Sequence, residues 1–381
     1  MVKAIVLAGG GSRGSYQIGA WEALEELGYK ADIVTGTSVG SMNAALLATD
    51  RLQEAKSMWL SINDKDVMDV PEKIFSVETL KFVRKFAKEG GISVKPLEKM
   101  MAMLLDEDAL RNAKCKYGLV TVNLNTKKPM ELTIDDIPKG KVLDYMLASG
   151  ACFPFLQKKE IDGEKYIDGG YYDNMPANLA CKMGAEMIVT IDLDGIGFNH
   201  ELPEEYKHVK VISVSSYHDL GTFLEFKPKI AKRNMQLGYL DTYKAFGKLD
   251  GWAYAFKKGE IEKIYNHFGT YLMEQWEKVE KYHPAVMLAG QVYFKVDRNN
   301  PKKKIDKFLA VLEGAMLSAN MPVGIIYTLK NLPWYLDKIP DNIFTEKLEQ
   351  LTENTAVSRL LAPVGAADVK RVFLSLLRTL V

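Results

Sequence analysis

The chain is 381 residues long and 47% hydrophobic, which is enough apolar material to bury a large core over roughly two domains. Its 50 Lys and Arg balance 49 Asp and Glu, so the bulk positive field of a phosphate-backbone binder is missing and nucleic acid is excluded as a primary partner. Three cysteines, Cys115, Cys152 and Cys181, are widely spaced outside any C-x-x-C pattern; they fit neither a disulfide framework nor a zinc site and point to a reducing, cytoplasmic setting.

Residues 3–8, KAIVLA, read as a fully apolar strand, cut off by Gly9 before it reaches the length of a signal-peptide apolar region. The strand enters GGGSRG, and YQIGAWEALEEL then carries apolar residues at helical spacing as far as Gly28. ADIVTGTSVG repeats the arrangement, with a short strand at 33–35, a sharp turn around Ser38 and a helix through MNAALLA. Two strand-turn-helix units in succession predict a parallel sheet with helices on its faces.

Residues 51–115 read as a helical, amphipathic excursion beside that sheet, clearest in LEKMMAMLLDEDALRNA. Strand character returns in YGLVTVNL and MELTID. A helix KVLDYMLAS, a Phe153-Pro154 loop, an edge segment KYIDGG, a helix PANLACKMG and the strands EMIVTIDL and HVKVISV follow. An α/β module is therefore expected over 1–215. From 216 to 381 glycines thin out and helical patterns dominate, ending in VKRVFLSLLRTLV with Val369, Val372, Phe373, Leu376 and Leu380 on one face. The most apolar late stretch, 308–327, contains Glu313, Asn320 and Pro322, so no membrane-spanning helix is expected.

Gly36-Thr37-Ser38-Val39-Gly40 is a G-x-S-x-G between a strand and a helix. A nucleophile on such a turn has its hydroxyl pushed clear of the backbone, and Gly36 and Gly40 remove Cβ atoms that would collide with the flanking elements. The helix that follows sets unpaired N–H groups and the positive end of its dipole beside the hydroxyl, which favours an oxyanion. Taken alone, the pentapeptide equally describes a glycine-rich connection with an incidental serine.

Gly9-Gly10-Gly11-Ser12-Arg13-Gly14 lets consecutive N–H groups converge on one point, suiting a tetrahedral oxyanion or a phosphate alike. Gly9, Gly11 and Gly14 also spell G-x-G-x-x-G, so a non-catalytic nucleotide-binding module is a competing reading. Such a module wants an acidic residue at the carboxyl end of the second strand. Here Asp32 begins that strand, and its end carries TGTSVG. Adjacent parallel strands bring their carboxyl ends together, which sets the glycine turn beside Ser38.

A serine hydroxyl needs a base within hydrogen-bond reach. Asp168, in YIDGG, ends a short strand, and Gly169 and Gly170 let the chain turn without obstructing its carboxylate. A plain turn-forming role is the competing reading, and Asp192 and Asp194 are rivals at another strand end. The five histidines, His200, His208, His218, His267 and His283, all follow Asp168, so a Ser-Asp-His triad remains open with His218 as its member nearest a strand end. Against it, Ser38 lies on only the second strand, whereas the α/β-hydrolase nucleophile comes deeper in the sheet.

With GGGSRG, GTSVG and DGG in this order, and ASGACFPF between the last two, the chain resembles the patatin-like phospholipase family over residues 1 to about 215. The resemblance implies a three-layer α/β/α fold with a mainly parallel sheet, to which the 216–381 region adds a mainly helical part. It also implies a serine hydrolase with a Ser/Asp dyad acting on acyl esters of phospholipids, lysophospholipids or neutral lipids. Ser38 falls on the family nucleophile and Asp168 on the dyad aspartate. Gly9, Gly10 and Gly11 fall on the oxyanion loop with Gly14, and the Val39 amide joins them. Gly36, Gly40, Gly169 and Gly170 support the two turns. Arg13 falls on a basic position of the loop, where it either pairs with a lipid phosphate or pins the loop to backbone. Ala8 departs from the family, many members of which carry an acidic residue there.

The implied chemistry runs through an acyl-enzyme and asks for no metal or organic cofactor. An acyltransferase using the same intermediate remains the enzymatic alternative. The 95–110 helix and the C-terminal helix with Lys370, Arg371 and Arg378 are candidates for peripheral contact with a membrane, with docking on the protein's own core the favoured reading of each; Trp334 and Tyr335 read as a packed loop.

Overall fold

A computed structural model of the chain describes residues 1–69, 90–269, 304–318 and 320–337, and it divides into two units, Met1–Ala245 and Phe246–Val381. The first unit contains β1 (Lys3–Leu7), β2 (Ile33–Thr37), β3 (Lys116–Asn123), β4 (Lys128–Thr133), β5 (Lys159–Ile161), β6 (Glu164–Asp168), β7 (Met187–Ile191) and β8 (Lys210–Val214). They form one eight-stranded sheet. Strands β3, β2, β1, β7 and β8 lie side by side in parallel, with β1 at the centre and buried along nearly its whole length. A strand covered on both faces must be apolar throughout, which is why KAIVL lacks the alternation of a half-exposed strand. Antiparallel β4, β5 and β6 complete the sheet.

Helices α1 (Ser15–Glu26), α2 (Val39–Ala48), α3 (Leu52–Ser61), α4 (Asp64–Val67), α5 (Lys95–Leu104), α6 (Glu107–Arg111), α7 (Val142–Ser149), α8 (Ala177–Lys182) and α9 (Pro228–Ala245) follow in chain order. Neighbouring residues of β3 show how the layers are divided. Gly118 faces Leu179 of α8, whereas Tyr117 points to the other side and donates from its hydroxyl to the Ser41 carbonyl of α2 at 3.1 Å. On the α8 side Ala4, Val6, Ile33 and Ile188 pack against Ala177, Ala180 and Cys181. The three-layer α/β/α arrangement expected from the sequence is the one observed.

The first unit runs on past residue 215 to Ala245, because α9 docks on α1 by close backbone contact. A Cβ on Gly19 would stand 1.8 Å from the Met235 carbonyl oxygen, and one on Gly238 2.0 Å from that of Tyr16, so only glycine fits at either crossing point. Tyr16 fastens the pair by donating to Asp241 Oδ2 at 2.8 Å. The excursion after residue 51 is helical in α3 to α6, with residues 70–89 outside the described range.

In the second unit a 15-residue helix, Lys304–Ser318, buries Phe308, Leu312 and Met316. Glu313 is buried with them because it accepts backbone N–H bonds from Trp252, Ala253 and Tyr254 at 2.8, 3.1 and 3.0 Å. A small sheet of β9 (Leu249–Asp250), β10 (Ala255–Lys257) and β11 (Ile326–Tyr327) accompanies the helices. Tyr335 packs on Tyr327 with ring centroids 5.4 Å apart, while Trp334 beside it is 53% exposed. The expected C-terminal helix lies outside the described residues. Among those described, no helix is long and apolar enough to cross a membrane.

Candidate active site

The turn at Ser38 is held by its backbone. Ser38 adopts φ 54° and ψ −128°, a conformation costly for a side-chain-bearing residue that persists only where its surroundings over-determine it. They do so here. A Cβ on Gly36 would lie 2.3 Å from the Gly40 carbonyl, and one on Gly40 would lie 2.2 Å from the Leu7 oxygen, so strand, turn and helix close on one another only with both glycines. The Ser38 amide donates to Ser149 Oγ at 2.8 Å, and its carbonyl accepts from Ser41 N and Oγ at 2.9 and 2.6 Å.

The carboxylate reaches Ser38 through the register of β3. Residues 118–120 of β3 are flanked by β2 and β4, and residues 121–123 by β6 and β4, so β6 continues along the edge of β3 that β2 has left. The two strands run toward each other: Thr37 pairs with Val120, and Asp168 with Thr121. Their carboxyl ends therefore meet. Ser38 and Asp168 border the same cavity, and Asp168 Oδ1 accepts from the Gly170 amide at 2.8 Å. Asp168 is only 6% exposed. Burial raises its pKa to about 6, while the bond from the Gly170 amide and the influence of the Ser38 hydroxyl hold it from rising further.

The glycine loop sits beside this pair. Gly9 donates its amide to the Asn174 carbonyl at 3.0 Å, and its own carbonyl accepts from Asn174 Nδ2 at 3.3 Å, so of the three glycines grouped by the motif this amide is engaged. The amides of Gly10, Gly11 and Val39 find no acceptor among the described residues. Arg13 does not reach into the site: its Nε donates to the Gly221 carbonyl at 2.7 Å and its Nη1 to the carbonyls of Leu193, at 3.1 Å, and Asp194. Of its two expected roles, the structure has it pinning the loop. Ser12 adds bonds from its N to the Phe223 carbonyl at 2.8 Å and from its Oγ to the Thr222 carbonyl at 2.7 Å.

Ser38, Asp168, Gly10, Gly11 and Val39 all line one cavity of about 310 Å³, whose further wall is apolar, with Met42, Met58, Trp59, Phe155, Phe223 and Phe226 among its residues. No histidine lines it among the described residues. His218 stands outside, its amide bonded to Ser216 Oγ. Asp192 and Asp194 serve a turn: Asp192 Oδ1 accepts from the Asp194 amide at 2.9 Å. Cys152 borders the cavity with its thiol pushed up to about 12 by burial and then by Asp168. Among the described residues, no group of His, Cys, Asp and Glu could hold a metal ion.

The family model for patatin-like phospholipases matches residues 5–181. These residues form a patatin-like phospholipase domain. Patatin-like phospholipase domain-containing protein 6 of Homo sapiens is 30% identical over 190 residues, 50% of this chain and 13% of that protein. Lysophospholipase NTE1 of Candida albicans is 24% identical over 325 residues, 78% of this chain and 22% of its own length. The chain thus spans a minor part of the curated relatives it matches. Among solved structures, VipD from Legionella pneumophila covers 98% of this chain with 90% of its own at 15% identity and a TM-score of 0.39.

Three contributors to the candidate site carry no motif of their own in the sequence: Ser149, Asn174 and the carbonyls of 221–223. Ser149 lies in ASGACFPF and Asn174 six residues after Asp168, so motif proximity was a usable signal for both. Backbone carbonyls carry no side-chain signature at all.

Proposed function

We propose that this chain hydrolyses carboxylic ester bonds of lipids at Ser38, with Asp168 as base and no histidine, in the manner of a phospholipase A or lysophospholipase. The observation that carries the reading is that Ser38 and the buried Asp168 carboxylate border one apolar cavity where the carboxyl ends of β2 and β6 meet. The names of the relatives, phospholipase and lysophospholipase, support the substrate class.

Ser38 Oγ attacks the ester carbonyl as its proton passes to Asp168. The developing oxyanion accepts from the amides of Gly10, Gly11 and Val39. The Ser38 amide is committed to Ser149, so the hole is built without it. Asp168 then returns the proton to the leaving alcohol, and an acyl-enzyme remains. Water gives a proton to Asp168 as it attacks the acyl carbon, and that proton restores the Ser38 hydroxyl when the fatty acid leaves. A carboxylate of ordinary pKa, about 4, is a weak base at neutral pH; one near 6 is better matched and still ionised there. The cavity accommodates the acyl chain, with Leu97, Met100 and Met101 of α5 turned toward it, so this helix serves the substrate pocket rather than a membrane. A cytoplasmic enzyme meeting lipid at a membrane surface fits this chemistry.

The test is a fluorophosphonate probe with mass-spectrometric site mapping. Labelling at Ser38, lost in Ser38→Ala, is expected; an unlabelled wild-type chain that binds nucleotide sinks the reading in favour of the glycine-loop module. Product analysis with and without an acceptor alcohol separates hydrolase from acyltransferase.

A further inference from the structure

Around the glycine loop, helices α1, α2 and α3 meet through polar side chains that the proposed mechanism does not use. Trp59 Nε1 donates to Asn43 Oδ1 at 3.1 Å. Asn43 Nδ2 donates to the Gly14 carbonyl at 3.0 Å and to Gln17 Oε1 at 2.8 Å, and Gln17 Nε2 donates to the Ala8 carbonyl at 2.7 Å. All three side chains are buried, at 2%, 1% and 1% exposure. The direction of the chain is forced at its ends, since an indole can only donate and a carbonyl can only accept. Both amides must therefore be oriented as observed, whatever ambiguity their own oxygens and nitrogens carry.

The two anchored carbonyls bracket the loop. Ala8 precedes Gly9, and because a peptide unit is planar, holding the Ala8 carbonyl fixes the Gly9 amide that donates to Asn174. Gly14 closes the loop, so near the Trp59 ring that a Cβ there would stand 2.8 Å from it. At the other end of the chain, Asn43 and Trp59 belong to the cavity wall, and Trp59 stacks on Phe226 with centroids 6.2 Å apart. Whatever fills the cavity therefore presses on one end of a continuous hydrogen-bonded chain whose other end sets the frame of the oxyanion amides.

We propose that Gln17, Asn43 and Trp59 are positioning residues that transmit contact between an acyl chain and the cavity wall to the glycine loop, so that a longer acyl group raises turnover as well as binding. The inference rests on the reading of Ser38 as nucleophile. Acylation and deacylation both pass through an oxyanion, so a better-held loop speeds either step. A role confined to stability predicts a lower melting temperature and an acyl-length response of kcat like that of the wild type.

The experiment compares kcat and KM for p-nitrophenyl acetate and p-nitrophenyl dodecanoate in the full chain, with thermal unfolding alongside. Trp59→Phe keeps a ring in the wall and removes the indole donor. Gln17→Met cuts the chain at its far end, outside the cavity wall, and reports should Trp59→Phe fail to fold. In either variant kcat is expected to fall roughly ten-fold more on the dodecanoate than on the acetate, as a sub-ångström loosening of the loop implies, with the KM preference for the longer chain retained. Wild-type dependence of kcat on chain length in a folded variant overturns the relay; if Ser38→Ala is then inactive, the dyad reading stands without it. Hydrolysis surviving in Ser38→Ala sinks both.

Discussion

Residues 1–215 and residues 216–245 both serve the candidate site, but with different parts of the chain. The first segment contributes Ser38, Asp168 and the amides of Gly10, Gly11 and Val39, all carried on recognisable motifs. The second contributes the main-chain carbonyls of Gly221, Thr222 and Phe223, which hold Arg13 and Ser12, together with the helix α9 that docks on α1. Reacting atoms demand particular side chains, whereas a backrest for the loop demands only that carbonyls arrive at the right place. The two segments should therefore fail differently when damaged, one losing chemistry and the other losing alignment.

The largest effect is expected on the chemical side. Asp168→Asn keeps size and shape and removes the base, so kcat on a p-nitrophenyl ester should drop by roughly 10⁴-fold, the scale on which hydrolases lose turnover without a working base system. A residual rate within ten-fold of wild type would remove Asp168 from the mechanism. The same substitution should stabilise the fold at neutral pH. The carboxyl pKa is raised, so its contribution to stability is fully present below the unfolded value near 4 and is lost as pH rises through about 6. A shift of that size corresponds to about 3 kcal/mol. Urea unfolding should accordingly find Asp168→Asn more stable than wild type at pH 8 and close to it at pH 4; equal stability at both pH values would mean that the native carboxylate is not held against its charge.

The alignment side should show a smaller loss. Arg13 links the two segments, with one guanidinium on Gly221 and on the turn at Leu193 and Asp194. Arg13→Ala should lower kcat by about 10²-fold, the cost of a reacting geometry displaced by about 1 Å, while KM for a long-chain ester stays near wild type because the apolar wall is untouched. An unchanged kcat would show that Ser12 holds the loop unaided. A rise in KM alone would instead restore the phosphate-binding role for Arg13.

The same contrast explains what could be read in the sequence. The buried strand KAIVL, the turn at Ser38 and the DGG turn were legible because each imposes its own local composition. The end-to-end meeting of β2 and β6 on one edge of β3 was not, since a register between strands far apart in sequence leaves no mark in either. Nor was the distinction between Gly9, whose amide is engaged by Asn174, and Gly10 and Gly11, whose amides are free of described partners; three consecutive glycines look alike until their neighbours are placed. Residue 215 looked like a boundary because β8 is the last strand of the large sheet. The contact that carries the unit on to Ala245 rests on Gly19 and Gly238, each of which, inside a helix, reads only as a weakness. Strands of two and three residues in the second unit fall below any periodic signal.

The smallest effect expected is none, and it bears on how the pH profile is understood. If Asp168 is the base, kcat/KM should be lost as pH falls through about 6, because the protonated carboxyl cannot accept the Ser38 proton. That limb lies close to the ordinary histidine pKa of about 6.5, so a pH profile alone would suggest a triad, although no histidine among the described residues lines the cavity. His218→Ala tests the described histidine nearest a strand end; the His267 side chain and His283 lie outside the described residues. His218 is outside the residues that line the cavity, so its removal should leave both the height of the profile and its acid limb superimposable on wild type. A profile that loses its acid limb, or an activity that collapses at every pH, would make histidine part of the base system and reduce Asp168 to its partner.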